Sequence, residues 1–267
     1  MSLFAELWRR HSALTAVGLA LLVAAVLMGA GVLIDPRLLH GAPVWLKPAK
    51  FALSLSVYLL TLAWFMGYAR PVFRTGVWAG GAAATAIATA LFELIYIAWR
   101  AGRGEASHFN FDSPLAITMY SLMGVGAVLL TAASVPVAVG VARGDRPIGA
   151  AFRLSVVLGL LLAFGLGTAV GSVLASGQGH WIGGDLTDAT GLPLMGWSRT
   201  GGDLRIAHFF GLHALQIIPV VGLLVNRLSR PIGLGVVIGF STVYSALVYW
   251  LAAEALAGRP PWAVFGL

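Results

Sequence analysis

Residues 13–34 read ALTAVGLALLVAAVLMGAGVLI, a stretch without a single charged side chain. A helix rises 1.5 Å per residue, so about 20 apolar residues carry it across the hydrocarbon of a bilayer. The hydrophobicity is continuous rather than alternating, and in lipid a helix satisfies its own backbone; both point to a membrane-spanning helix. Arg9 and Arg10 precede the run in the order of a signal peptide. The length of a full span, with no small-x-small cleavage site at its end, predicts a retained first helix instead.

Six further runs follow, and the spans fall at about 13–34, 51–69, 77–99, 115–141, 154–175, 206–226 and 232–257. The expected fold is an all-α polytopic transmembrane helix bundle of about seven spans, with 1–267 forming a single transmembrane domain. Composition agrees, since 59% of the residues are hydrophobic and only 10% charged, against about a quarter charged in a soluble domain. The net charge of +7 does not point to nucleic acid. The arginines lie in short connections where they set topology and meet lipid headgroups, so the bilayer itself is the expected partner. With no cysteine, thiolate metal sites, disulfides and iron–sulfur clusters are excluded.

Seven crossings put the termini on opposite sides. The N-terminus shares its side with 70–74, 143–153 and 227–230, short connections dense in arginine. That density places the N-terminus inside and the C-terminus outside, with the longer loops 35–50, 100–114 and 176–205 also outside. Glycines four apart, Gly76/Gly80, Gly167/Gly171 and Gly235/Gly239, predict close helix approach. Pro136 and Pro219 predict bends.

Polar residues gather toward the outer side. His40, His108, His180, His208 and His213 all fall there, with Glu93, Asp112, Asp203 and Glu254. Ionisable groups within spans are functional candidates by default. His213 lies about 12 Å beyond Arg205, and Glu93 about 10 Å before Arg100, at 1.5 Å per residue. Lys50, Glu93, Tyr96, His213, Gln216 and Glu254 are therefore candidates to line a pocket open to the outside. The competing explanation is structural: Glu93 paired with Lys50, or His213 bonded to a neighbouring carbonyl. His213, His208, His108, Asp112 and His180 are candidates for binding a metal ion or haem. His208 and His213 stand about 140° apart around a helix, so they do not make a shared two-histidine site. In an extended segment His108, Asn110 and Asp112 share a face; in the alternative, Asp112 or Ser113 caps a helix beginning at Pro114. Asp203, alone or with Thr200, caps the sixth span.

Lys47 and Lys50 are the only lysines, which excludes a retinal protein with its lysine in the last helix. No helix carries the Ser/His/Asp/His pattern of the adiponectin-receptor and ceramidase type. In VWLKPAKFALS at 44–54, RGEASHFNFDSP at 103–114 and GLPLMGWSRTGGDLRIAHFFGLHALQ at 191–216 the chain resembles a group of bacterial integral membrane proteins without assigned activity. The resemblance implies a membrane fold of about seven helices in a bacterial inner membrane and transfers no reaction. Three readings of function follow. The first is an outward-facing His/carboxylate site for a metal, haem or small ligand, with an enzyme acting on a lipid-soluble or periplasmic substrate as one form of it. The second is a proton- or cation-coupled transporter or channel. The third is a non-catalytic subunit or assembly factor, for which small-residue helix faces suit a homo-oligomer or a membrane-protein partner.

Overall fold

A computed structural model describes residues 2–265. Seven helices are long and apolar enough to cross a membrane. They comprise α2 (Ser12–Ile34), α3 (Leu46–Met66), α5 (Val77–Gly102), α6 with α7 (Pro114–Ala132 and Ser134–Ala142), α8 (Ala150–Ala175), α9 (Leu204–Leu224) and α10 (Arg230–Leu256). Two short helices, α1 (Leu3–Arg10) and α4 (Pro71–Arg74), lie at the end of the bundle that also holds 143–149, here called the basic end. At the opposite, loop end, β1 (Leu38–Leu39) pairs with β2 (Ala42–Pro43), and β3 (Trp181–Ile182) with β4 (Gly202–Asp203), both antiparallel.

Neighbouring helices pack in the order α2, α3, α5, α6, α8, α9 and α10, with α7 set against α3 and α8. The interior is built from small and aliphatic residues, including Leu59, Leu62, Ala86, Ala90, Val156, Leu160 and Ile218. Large aliphatics such as Val26, Leu27, Leu33 and Val243 face outward. That inversion of a soluble protein's pattern is stable only where the surroundings are lipid. The chain is an integral, multi-pass membrane protein.

Several helices extend past the apolar runs that announce them. α3 starts at Leu46 and so takes Lys47, Pro48 and Lys50 into its first turns. Proline suits a first turn, where its missing N–H is no loss. Long cationic stems also pack along apolar surface while their heads stay in polar surroundings. The fourth span breaks at Ala133, three residues before Pro136, as the proline predicts. The break is stitched by Ser134, whose hydroxyl donates to the carbonyls of Thr131 (2.7 Å) and, across the interface, Leu160 (2.9 Å). Pro219 is carried inside a continuous α9. The sequence reading did not anticipate α1. Ser2 caps it, and Arg10 fastens it by donating to the Trp64 carbonyl at 2.6 Å and stacking over the Trp64 ring.

Of the three glycine pairs, only Gly167/Gly171 sits at a close helix contact, against Leu212 and His208 of α9. A Cβ at Gly80, Gly235 or Gly239 meets nothing within 4 Å, and Gly76 is the N-cap of α5. The same two helices, α8 and α9, also approach backbone to backbone at Gly159. A Cβ at Gly159 comes within 2.9 Å of the Ala214 carbonyl and 3.0 Å of the Pro219 ring. Gly159→Ala should therefore destabilise the protein by about 1–3 kcal/mol through overpacking. Gly165→Ala in the same helix, with open space around it, should be neutral or slightly stabilising. Thermal unfolding of both variants in detergent checks the contrast.

Candidate functional site

The loop end is organised by α9's first turn. Asp203 is the N-cap, its carboxylate accepting from the Arg205 N–H (3.0 Å) and from the Ser198 N–H (3.0 Å). Thr200 has a different task, accepting from the Asp185 N–H. Arg205 folds back over its own cap, with ion pairs to Asp203 (2.6 Å) and Asp188 (2.8 Å) and a hydrogen bond to the Gly196 carbonyl (2.7 Å). These contacts hold the connection 183–201 as a cover. Lys50 from α3 secures the same cover by donating to the Met195 carbonyl at 3.0 Å. Two further bonds reach the β1–β2 turn, from Asp188 N–H and Thr187 Oγ1 to the His40 carbonyl. Burial works to raise the Asp188 carboxyl, but His180 and Arg205 outweigh it and hold it at about 2.

Beneath this cover α3 and α9 turn polar faces toward one another. Helical spacing aligns Lys47, Lys50, Ser54 and Thr61 on α3, and Arg205, Phe209, His213 and Gln216 on α9, whereas Tyr58 donates to the Leu130 carbonyl of α6 and His208 lies against Gly171 of α8. The helices do not pack along their length. They meet where Gln216 donates to Thr61 Oγ1 at 3.5 Å. Gln216 Oε1 also accepts from His213 Nδ1 at 3.2 Å in the tautomer protonated there, and the His213 ring lies 4.1 Å from that of Phe209. Lys47, His108, His208, Tyr58, His213 and Gln216 are only half-buried, although each stands within the bundle or under its cover. A side chain in that position that keeps accessible surface borders a space.

Several polar atoms in this half of the bundle lack partners. Glu93 is 4% exposed, and its Oε1 makes no hydrogen bond. Tyr96 Oη and His208 Nδ1 are likewise buried without a hydrogen bond, while His180 Nε2 lies 3.8 Å from Asp188 Oδ1. Lys47 lies within electrostatic reach of Glu93 and Arg205, its ammonium 5.8 Å from the Phe51 ring. Among the described residues Lys47 has no hydrogen-bond or ion-pair partner. An aromatic chain links these groups: Phe51 to His108 (5.9 Å), His108 to Tyr120 (6.0 Å), Tyr120 to Phe109 (5.3 Å) and Phe109 to His180 (6.0 Å).

The segment 103–113 is not the extended strand that would align His108, Asn110 and Asp112. Phe109 adopts a left-handed backbone, φ +52°, which breaks the alternation. Asn110 turns back to accept from the Asp112 N–H (3.0 Å), and Ser113 caps α6. Asp112 instead borders an open cleft of about 490 Å³ with Trp99, Arg100, Arg103 and Glu105. Glu254 turns to Arg259 at 2.7 Å and lies outside the polar space. Lys50 meets Met195 rather than Glu93. The structure thus brings Lys47, which sequence reasoning passed over, within electrostatic reach of Glu93 and His108, and His108 within reach of His180 and His208. The signal for Lys47 was the Lys47–Lys50 spacing at a helix start.

Among the described residues no three His, Asp or Glu side chains come together as a metal site. The metal-ion expectation for His213, His208, His108, Asp112 and His180 therefore finds no support among the described residues. No protein-family model, no curated protein and no solved structure matches the chain.

Burial, then the positive charge of Lys47, His180 and His208, holds the His108 imidazole well below its ordinary range. Burial also lowers His180. A histidine whose pKa is depressed by folding contributes stability in full above its unfolded pKa of about 6.5 and loses it as pH falls below that value. The melting temperature in detergent should accordingly drop between pH 8 and pH 5. His108→Phe, which keeps an aromatic ring beside Phe51 and Tyr120, should flatten that slope. An unchanged slope in the variant would show that His108 is not the group responsible.

Proposed function

We propose that the chain is a ligand-binding membrane protein whose site is the polar space between α3, α5 and α9. The occupant is a small organic molecule with hydrogen-bond-accepting oxygens, of the carboxylate or carbonyl type. One observation carries the reading: Lys47, without a hydrogen-bond or ion-pair partner among the described residues, lies within electrostatic reach of Glu93 and His108, and Glu93 Oε1, Tyr96 Oη and His208 Nδ1 are buried without a hydrogen bond. Buried polar groups are almost always hydrogen-bonded, and leaving one unmade costs about 1–3 kcal/mol. Lys47 supplies the charge for an acceptor oxygen, and Glu93 supplies either an acceptor or, when protonated, a donor. A cation is the wrong partner for this set, because Lys47 repels it.

The arrangement favours binding over passage. Beyond Thr61 and Gln216, toward the basic end, the bundle is filled by Leu62, Met66, Val137, Val141, Val156 and Ile218, all without exposure. A transport path needs polar groups at both depths. Arginine density in the short connections supports placing the loop end, and with it the site's cover, outside the cytoplasm. The sequence resemblance supports a bacterial inner membrane.

The test is organic extraction of the purified protein followed by mass spectrometry. The expected result is one small molecule enriched to near stoichiometry over the lipid background and lost by about tenfold or more in Lys47→Met, the scale of one charge-assisted hydrogen bond. The helical circular dichroism of the variant should match that of the unaltered protein. No enriched species, or the same species at equal yield in the folded variant, would remove the site.

A further inference from the structure

The basic end has a second feature that owes nothing to the polar space. The ends of α7, α8 and α10 enclose an open cleft of about 410 Å³, walled by Ile148, Leu154, Val157 and Leu234 and bordered by Arg153 and Arg230. Arg153 is fixed in place, donating to the carbonyls of Val141 (2.6 Å) and Arg146 (2.7 Å). Arg230 is exposed at the first turn of α10. Among the described residues neither guanidinium has a carboxylate partner, whereas Arg9 and Arg10 at the same end share Glu6.

Two guanidinium groups without counter-ions, set beside an aliphatic trough at the end of three membrane-spanning helices, match one kind of occupant. We infer that this cleft seats an anionic phospholipid, its phosphate between Arg153 and Arg230 and an acyl chain along Leu154, Val157 and Leu234. Guanidinium is suited to phosphate because its planar fork presents paired donors. The trough selects against a free anion, since only a molecule with a hydrocarbon tail covers the aliphatic walls. Membrane depth supplies such molecules at high local concentration, and basic pockets between spanning helices are a known lipid-recognition chemistry.

Native mass spectrometry of the detergent-solubilised protein, offered phosphatidylglycerol and phosphatidylcholine in equal amounts, tests the inference. One phosphatidylglycerol should be retained in preference to phosphatidylcholine. Arg230→Gln should weaken that retention about tenfold and abolish the preference. Leu234→Trp, which fills the trough and leaves both charges, should do the same. Arg227→Gln removes an exposed charge at the same end but outside the cleft, and should leave retention unchanged. Equal retention of the two lipids, or equal losses in Arg227→Gln and Arg230→Gln, would overturn the assignment. Displacement of the lipid by inorganic phosphate at similar concentration would also overturn it, by showing a site for the anion alone.

Discussion

The guanidinium of Arg205 is the junction on which the loop end depends. It joins the cap of α9, Asp203, to Asp188 and to the Gly196 carbonyl in the long connection. Asp203 is 1% exposed, so the pair is shielded from water on one side. Removing one member of such a buried pair typically costs about 3–5 kcal/mol, because the other charge is left uncompensated. The rest of the cover follows from this anchor. With the connection held over the bundle, the Met195 carbonyl is presented to Lys50, and α3 and α9 are tied together at their ends without packing along their lengths.

That separation is the origin of the polar space. In a bilayer, helices have no hydrophobic drive to associate and close ranks through small residues and interhelical hydrogen bonds. α8 and α9 do so at Gly159. α3 and α9 instead carry lysines, histidine and glutamine on their facing stripes, and among the described residues one hydrogen bond, from Gln216 to Thr61, joins them directly. A hydrocarbon-filled gap is incompatible with those side chains, and a collapsed gap would pair them with one another. Lys47 has no partner among the described residues, and Glu93 Oε1 and His208 Nδ1 make no hydrogen bond, which supports the proposed ligand with polar atoms.

Much of the fold was legible in the sequence because lipid imposes a strong rule: continuous apolar runs of sufficient length must be helices. The break before Pro136 and the caps at Ser113 and Asp203 were legible for equally local reasons, a missing N–H and a side-chain acceptor at a helix start. What was not legible depends on tertiary approach. Gly159 and the pair Gly235/Gly239 look alike along the chain, yet only the first faces a backbone at contact distance. His108, Asn110 and Asp112 alternate in sequence, but a left-handed Phe109 scatters them. Lys47 reads as an ordinary interfacial cation until α5 and the 103–113 segment bring Glu93 and His108 around it. Glu254, equally polar and equally near the loop end, is claimed by Arg259 five residues away.

The most direct measurement is an experimental density map of the protein in a lipid nanodisc, at a resolution that shows ordered water and ligands. The account predicts non-protein density between α3, α5 and α9, within hydrogen-bond distance of Lys47 Nζ and at least one of His180 Nε2 and His208 Nδ1. A map in which Lys47 pairs directly with Glu93, the histidine nitrogens bond to protein carbonyls and nothing lies between the helices would contradict it.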